Sequence, residues 1–142
     1  MKKILRSTTI VDFPSFGVFA VVAKVDTGAY SGALHTTNIK EIVLPTGEKA
    51  LKFRPCHSKK SVTATDFESK RVKSSNGLVS YRYVVGTTVV IEGVNYPINI
   101  TLSDRSAMTK PVLLGRKFLR QHGFLVDVVS PKSYGSQVGK KE

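Results

Sequence analysis

Turn signals cut this chain into short β-branched runs, and that punctuation restricts the fold more than any other feature. Three clusters carry it: Pro45-Thr46-Gly47-Glu48, Ser74-Ser75-Asn76-Gly77 and Glu92-Gly93-Val94-Asn95. Asn-Gly between extended segments is the strongest short-range hairpin cue, because both residues tolerate positive φ. The spacing predicts hairpins pairing Lys40–Leu44 with Ala50–Phe53, Lys70–Lys73 with Leu78–Val85, and Thr87–Ile91 with Tyr96–Leu102. Val18–Val25 reads as a buried strand, apolar and β-branched. Arg54–Ser69 is polar and reads as a loop or a weakly paired excursion. Val112–Leu114 is a short apolar strand that runs through Gly115-Arg116 into a helical pattern, Lys117–His122, closed by Gly123 as a C′ residue. Phe124–Val129 is a last strand. Strands at short intervals with one helix near the end predict a mainly β, closed or semi-closed barrel.

The 142 residues suit one domain, with a core at about 12–129 and a Ser/Gly/Lys/Pro tail at 130–142. A hydrophobic content of 41% is enough for one core. No stretch approaches the roughly 20 apolar residues that cross a bilayer. The start, Met1-Lys2-Lys3-Ile4-Leu5-Arg6, leads into polar Ser7-Thr8-Thr9 and lacks the apolar centre of a secretory signal, so the expected location is cytoplasmic. The single cysteine, Cys56, excludes an intrachain disulfide. The net charge of +12 attracts polyanions. No aromatic-interleaved RNA motif or helix-turn-helix pattern accompanies it, so a small nucleic-acid-binding barrel is the weaker reading.

The chemistry-bearing element is Asp26-Thr27-Gly28-Ala29, placed directly after the apolar strand. Apolar flanks desolvate a carboxylate, which is one way an acid is tuned for proton transfer. On its own the tripeptide is an ordinary turn, since Asp and Gly are turn formers. Its weight comes from a second element far along the chain, Val112-Leu113-Leu114-Gly115-Arg116, where two apolar residues and a Gly precede a short helix.

These two elements, with the Ser74–Gly77 hairpin between them, resemble the signature of retropepsin-like aspartic peptidases. The match narrows further over Ala23–Ala29 with Ala33-Leu34-His35, Val72–Gly77, Thr101–Met108, Leu113–Leu119 and Val126-Asp127-Val128. Together they are similar to one bacterial and archaeal retropepsin-like family, often labelled an ATP-dependent zinc protease. Gene neighbourhood links that family to the enzyme that adds glutamates to a ribosomal protein.

The resemblance implies a retropepsin-like closed barrel and an aspartic endopeptidase. Asp26, Thr27 and Gly28 would form the catalytic turn. Only one such turn exists, so the active form would be a homodimer in which two Asp26 carboxylates activate one water. Ala29 and the flap residues Ser74, Ser75, Asn76 and Gly77 would contact substrate, joined by Arg82 for an acidic side chain. Leu114, Gly115 and Arg116 would support the turn, with Asp104-Arg105 as a structural ion pair or turn. Acidic peptides are the expected substrate, and the partners are a second copy and a peptide or protein, with no membrane. The alternative is a catalytically silent peptide-binding or dimerisation module of the same fold.

Two departures qualify the resemblance. The sequence offers neither a zinc-hydrolase motif nor an ATP loop, so no metal or cofactor is expected. A zinc site from His35, His57 or Cys56 with acidic residues is the competing possibility. In retroviral enzymes a second Asp follows Asp-Thr-Gly-Ala and pairs with the Arg of Gly-Arg. Here that position is Tyr30, which leaves Asp104 and Asp127 as candidate carboxylates for Arg116.

Overall fold

The computed structural model describes residues 3–104 and 110–128. Eleven strands and one α-helix follow in order: β1 (Ile4–Leu5), β2 (Thr8–Phe13), β3 (Val18–Val25), β4 (Ala33–Val43), β5 (Lys49–Pro55), β6 (Val62–Ala64), β7 (Phe67–Lys73), β8 (Val79–Ile91), β9 (Val94–Ser103), β10 (Val112–Leu114), α1 (Arg116–Gln121) and β11 (Leu125–Val126).

The sheet closes on itself. Neighbours run β10-β3-β2-β8-β9-β4, and β4 pairs back to β10, giving a six-stranded barrel. Strand β10 is the closing element. It lies parallel to β3, with Leu114 opposite Val25, and antiparallel to β4, with Val112 opposite Leu34. All three of its residues are buried, which explains why the run is continuously apolar rather than alternating. Strands β5 and β6 extend the sheet beyond β4, and β7 pairs only with β8 as a projecting hairpin.

The core fills the barrel with Phe13, Leu34, Phe53, Val85, Ile100 and Leu114 among its most buried members. A second aromatic group seats the helix. Tyr96 of β9 meets Phe118 edge-on at 6.0 Å and Phe124 at 5.1 Å. His122 Nε2 lies 2.9 Å from the Pro97 carbonyl, tying the end of α1 to β9. Gly123 has φ of 69°, a left-handed value open to Gly at the end of a helix.

The expected mainly β barrel with one short helix is present. Several details differ from the sequence reading, which assigns no strand to the residues of β1 and β2. The polar stretch Arg54–Ser69 holds β6 and the start of β7. These strands lie at the sheet margin, where Val62, Ala64 and Phe67 are only partly buried against the core, and the three-residue alternation of β6 is too short to stand out in a polar stretch. The segments Leu78–Val85 and Thr87–Ile91 are one strand, β8, running through Gly86. Of the expected strand Phe124–Val129, Leu125–Val126 is a strand, parallel to Ile4–Leu5, and Val129 lies outside the described residues. Among the described residues no helix is long and apolar enough to cross a membrane.

Candidate active site

Strand β3 ends at buried Val25, and Asp26 is the next residue. Its position is fixed from both sides. The Val25 amide donates to the Ser7 carbonyl at 2.9 Å, and the Asp26 amide donates to the Leu114 carbonyl at 2.9 Å. The chain then turns on the side chain itself: Asp26 Oδ1 accepts the Gly28 amide at 2.9 Å, and the Asp26 carbonyl accepts the Ala29 amide at 3.3 Å. This Asx-type turn uses one carboxylate oxygen to shape the backbone. Asp26 is half-buried, while Thr27 and Gly28 are exposed.

The loop after Asp26 is clamped to the start of α1. The Ala29 carbonyl accepts the Arg116 amide at 2.8 Å, and the Tyr30 carbonyl accepts the Lys117 amide at 3.0 Å. The approach is closest at Gly115, where a Cβ would stand 2.7 Å from the Ser31 and Tyr30 carbonyl oxygens. At Gly32 a Cβ would stand 2.7 Å from the Leu113 oxygen. No side chain fits either crossing, because the obstructing atoms are backbone. The two sequence elements, residues 26–29 and 112–116, are therefore one site.

Arg116 does not reach the carboxylates proposed for it. Its Nη1 donates to the Thr27 carbonyl at 3.0 Å, and its guanidinium carbon lies 5.8 Å from the centre of the Tyr30 ring. The aromatic face stands where retroviral relatives place an Asp, and the guanidinium is held by a carbonyl and a π-face. Asp104 instead lies 3.8 Å from His35 Nδ1, and the Asp127 amide donates to Leu5 at 2.7 Å. Arg105 lies outside the described residues, as do Ser106, Ala107, Met108 and the 130–142 tail.

Ser74–Leu78 forms the tip of the β7–β8 hairpin. The Ser74 amide donates to the Leu78 carbonyl at 2.8 Å, the Gly77 amide donates to Ser74 at 3.0 Å, and the Ser74 hydroxyl donates to Asn76 Oδ1. Gly77 has φ of 86°. Ser75, like the rest of this tip, is exposed, as is Arg82 farther down β8. At the hairpin base Tyr83 donates its hydroxyl to Glu41 at 2.9 Å, anchoring the arm to β4.

A groove of about 280 Å³ opens beside the Asp26 loop, lined by Tyr30, Ser31 and Gly32, by Glu68 and Lys70 of β7, and by Lys117 and Phe118 of α1. The sequence reading did not single out Lys70, Glu68 or Lys117.

The candidate zinc donors lie near one another. His35 is buried, its ring 5.0 Å from that of His57, and Cys56, next to His57, donates its amide to the His35 carbonyl at 2.6 Å. Burial pushes the Cys56 thiol up to about 11. Among the described residues no group of three or more His, Cys, Asp or Glu is placed to hold a metal ion.

A closed six-stranded barrel, with an Asp-Thr-Gly turn locked to an apolar-apolar-Gly strand, defines a retropepsin-like domain. The model of the family described as retropepsin-like aspartic endopeptidase RimB matches residues 16–135, and the chain belongs to this RimB-like family. A protein of Shewanella halifaxensis named probable alpha-L-glutamate ligase is 30% identical over 122 residues, covering 82% of this chain and 26% of that protein. One of Desulfotalea psychrophila with the same name is 30% identical over 156 residues, covering 99% of this chain and 33% of that one. The chain thus spans about a quarter to a third of these relatives. A crystal structure of a Legionella pneumophila protein described as of unknown function superposes with a TM-score of 0.67 at 25% identity, covering 92% of this chain and 96% of that one.

Proposed function

We propose that the chain is an aspartic endopeptidase that works as a homodimer, each subunit supplying one Asp26. The observation that carries this is the fixing of Asp26 at the end of β3, with its amide on Leu114 and one carboxylate oxygen bound to Gly28 at 2.9 Å. Its other oxygen is left to meet a water or a second acid. Peptide hydrolysis in such a site needs two carboxylates about 3 Å apart sharing one proton. A chain with one such turn meets that need by two-fold pairing.

In this reading one Asp26 takes a proton from a bridging water, and the other donates its proton to the scissile carbonyl. The oxygen of the water bonds to the carbonyl carbon, giving a tetrahedral diol. As the C–N bond breaks, the amine takes the proton from one carboxyl while the other carboxylate takes a proton from a diol hydroxyl, which re-forms a carbonyl and returns the dyad to its starting charge. No covalent intermediate forms. The exposed Thr27 hydroxyl reaches the facing turn of the partner, Gly28 and Ala29 let substrate backbone lie close, and the Ser74–Gly77 tip closes over the peptide to exclude water.

The substrate class follows from charge. A chain of net charge +12 concentrates acidic peptides around it. The name these relatives carry concerns the joining of glutamate, and a peptidase acting on glutamate-rich peptides would hydrolyse the kind of bond that a ligase forms. The test is cleavage of a glutamate-rich peptide by the native chain and by Asp26→Asn. The variant should fold and lose cleavage, together with a loss of native activity on adding a pepstatin-type tetrahedral mimic. Full cleavage by Asp26→Asn rejects the reading. A protein that binds such peptides but never hydrolyses them, at any pH, supports the silent module instead.

A further inference from the structure

We infer that Lys70 and Lys117, on opposite walls of the groove beside the Asp26 loop, form a subsite for a carboxylate side chain of the substrate. This rests on the peptidase reading and supplies the residues that select an acidic peptide.

The hairpin register makes the first selection. Lys70 is paired with Arg82, Glu68 with Val84, and Val72 with Ser80. Directly paired residues share a face, and so do residues two apart along a strand. One face therefore carries Glu68, Lys70, Arg82 and Val84, and the other carries Arg71, Lys73 and Tyr81. Glu68, Lys70 and Val84 line the groove, so the first face is the one turned toward the Asp26 loop. Of the four basic residues on the hairpin, only Lys70 and Arg82 are on the substrate side.

Lys117 supplies the opposite wall. It lies in the first turn of α1, and its amide is bonded to Tyr30 at 3.0 Å, so its position is fixed relative to Asp26. Val84, Ile98 and Phe118 also line the groove. They give the lysine stems an apolar surface while the ammonium groups stay in water. The volume of about 280 Å³ is at or below the roughly 300–1,000 Å³ of small-molecule sites, which suits one side chain better than a cofactor. Glu68 opposes the two lysines, so the groove keeps a positive excess, increased by Arg82 on the same face. The two-fold axis repeats the groove at both ends of the cleft, which calls for acidic residues on both sides of the cleaved bond.

The test compares two labelled peptides that differ only in Glu or Gln at the positions flanking the cleaved bond. Charge-assisted hydrogen bonds, discounted for exposure, give an expected drop of about five- to tenfold in the Glu/Gln ratio of kcat/KM for each of Lys70→Gln and Lys117→Gln. The drop should appear in KM, with the Gln peptide unaffected. Lys70→Arg and Lys117→Arg should keep the ratio, and Glu68→Gln should raise it. The same peptides titrated into Asp26→Asn by fluorescence anisotropy read the subsite without catalysis, and there too the lysine variants should lose the preference. An unchanged ratio in the double lysine variant, in a protein that still needs Asp26 for cleavage, overturns the subsite and leaves the peptidase standing. Equal affinity of Asp26→Asn for the Glu and Gln peptides overturns the subsite whether or not cleavage occurs.

Discussion

Arg116 Nη1 donates to the Thr27 carbonyl at 3.0 Å, and the same guanidinium covers the Tyr30 ring. One side chain thus holds the middle and the far end of the Asp26 turn. A hydrogen bond from a charged donor contributes about 1.5–3 kcal/mol, and an exposed cation–π contact about 0.5–1 kcal/mol. Arg116→Ala should lower unfolding free energy by about 2 kcal/mol, read by chemical denaturation, and reduce cleavage by more than tenfold. Arg116→Lys keeps the charge but loses the planar fork, and should recover less than half of either loss.

Gly115→Ala should be more damaging than its size implies. The added methyl would meet carbonyl groups of Tyr30 and Ser31 at 2.7 Å, and backbone cannot step aside as a side-chain tip can. Overpacking of this kind costs about 1–3 kcal/mol, and here it also displaces the Asp26 loop. Gly47→Ala is the control. Its φ of 89° makes Ala strained there, but nothing lies within 4 Å. It should cost about 1 kcal/mol and leave cleavage unchanged.

Cys56 gives a pH prediction. Burial holds its thiol at about 11 in the folded chain, against an ordinary 9.0. At pH 8 about one thiol in a thousand is then ionised, so iodoacetamide should label the folded protein far more slowly than the unfolded one. The folded state keeps the proton that the unfolded state loses, so this contribution to stability is complete below pH 9 and is lost as pH rises toward 11. Denaturation midpoints at pH 8, 9 and 10 should fall in that order, with a smaller fall in Cys56→Ala.

Salt separates long-range attraction from local contacts. The Debye length shrinks from about 10 Å at 0.1 M to about 3 Å at 1 M. Raising sodium chloride across that range should lower kcat/KM on a glutamate-rich peptide several-fold and leave a neutral peptide nearly unaffected.

The parts of the fold legible in the sequence are those where local chemistry decides. Gly77 and Gly93 adopt φ of 86° and 79° in the two hairpin tips where turn chemistry placed them. Val112–Leu114 reads as a buried strand because it is buried on every side. Margin strands are different. Residues 62–64 and the Glu68–Arg71 part of β7 face water on most sides, so their polar composition resembles a loop. In the N-terminal strand β2, Thr8 and Thr9 are buried at 6% and 5% exposure, and two threonines give no apolar signal.

The site divides the same way. Asp26, Gly28, Leu114 and Gly115 belong to two elements that together resemble the retropepsin-like signature, and it is that resemblance that pairs them in the sequence. The acceptor of Arg116 could not be read, because it is a main-chain carbonyl and any residue has one. Lys70 was hidden among other basic residues, and only the β7–β8 register distinguishes it from Arg71 and Lys73. Knowing that Lys73 stands opposite Val79 would have been enough.

The central claim is that two Asp26 groups act on one water, and a subunit-mixing experiment tests it most directly. Native chain and Asp26→Asn, unfolded together in equal amounts and refolded, assort at random. If a working site needs an Asp26 from each partner, about a quarter of the dimers are active, and activity per total protein falls to about a quarter of the native value. If each subunit works alone, activity falls only to about half, and that result contradicts the account.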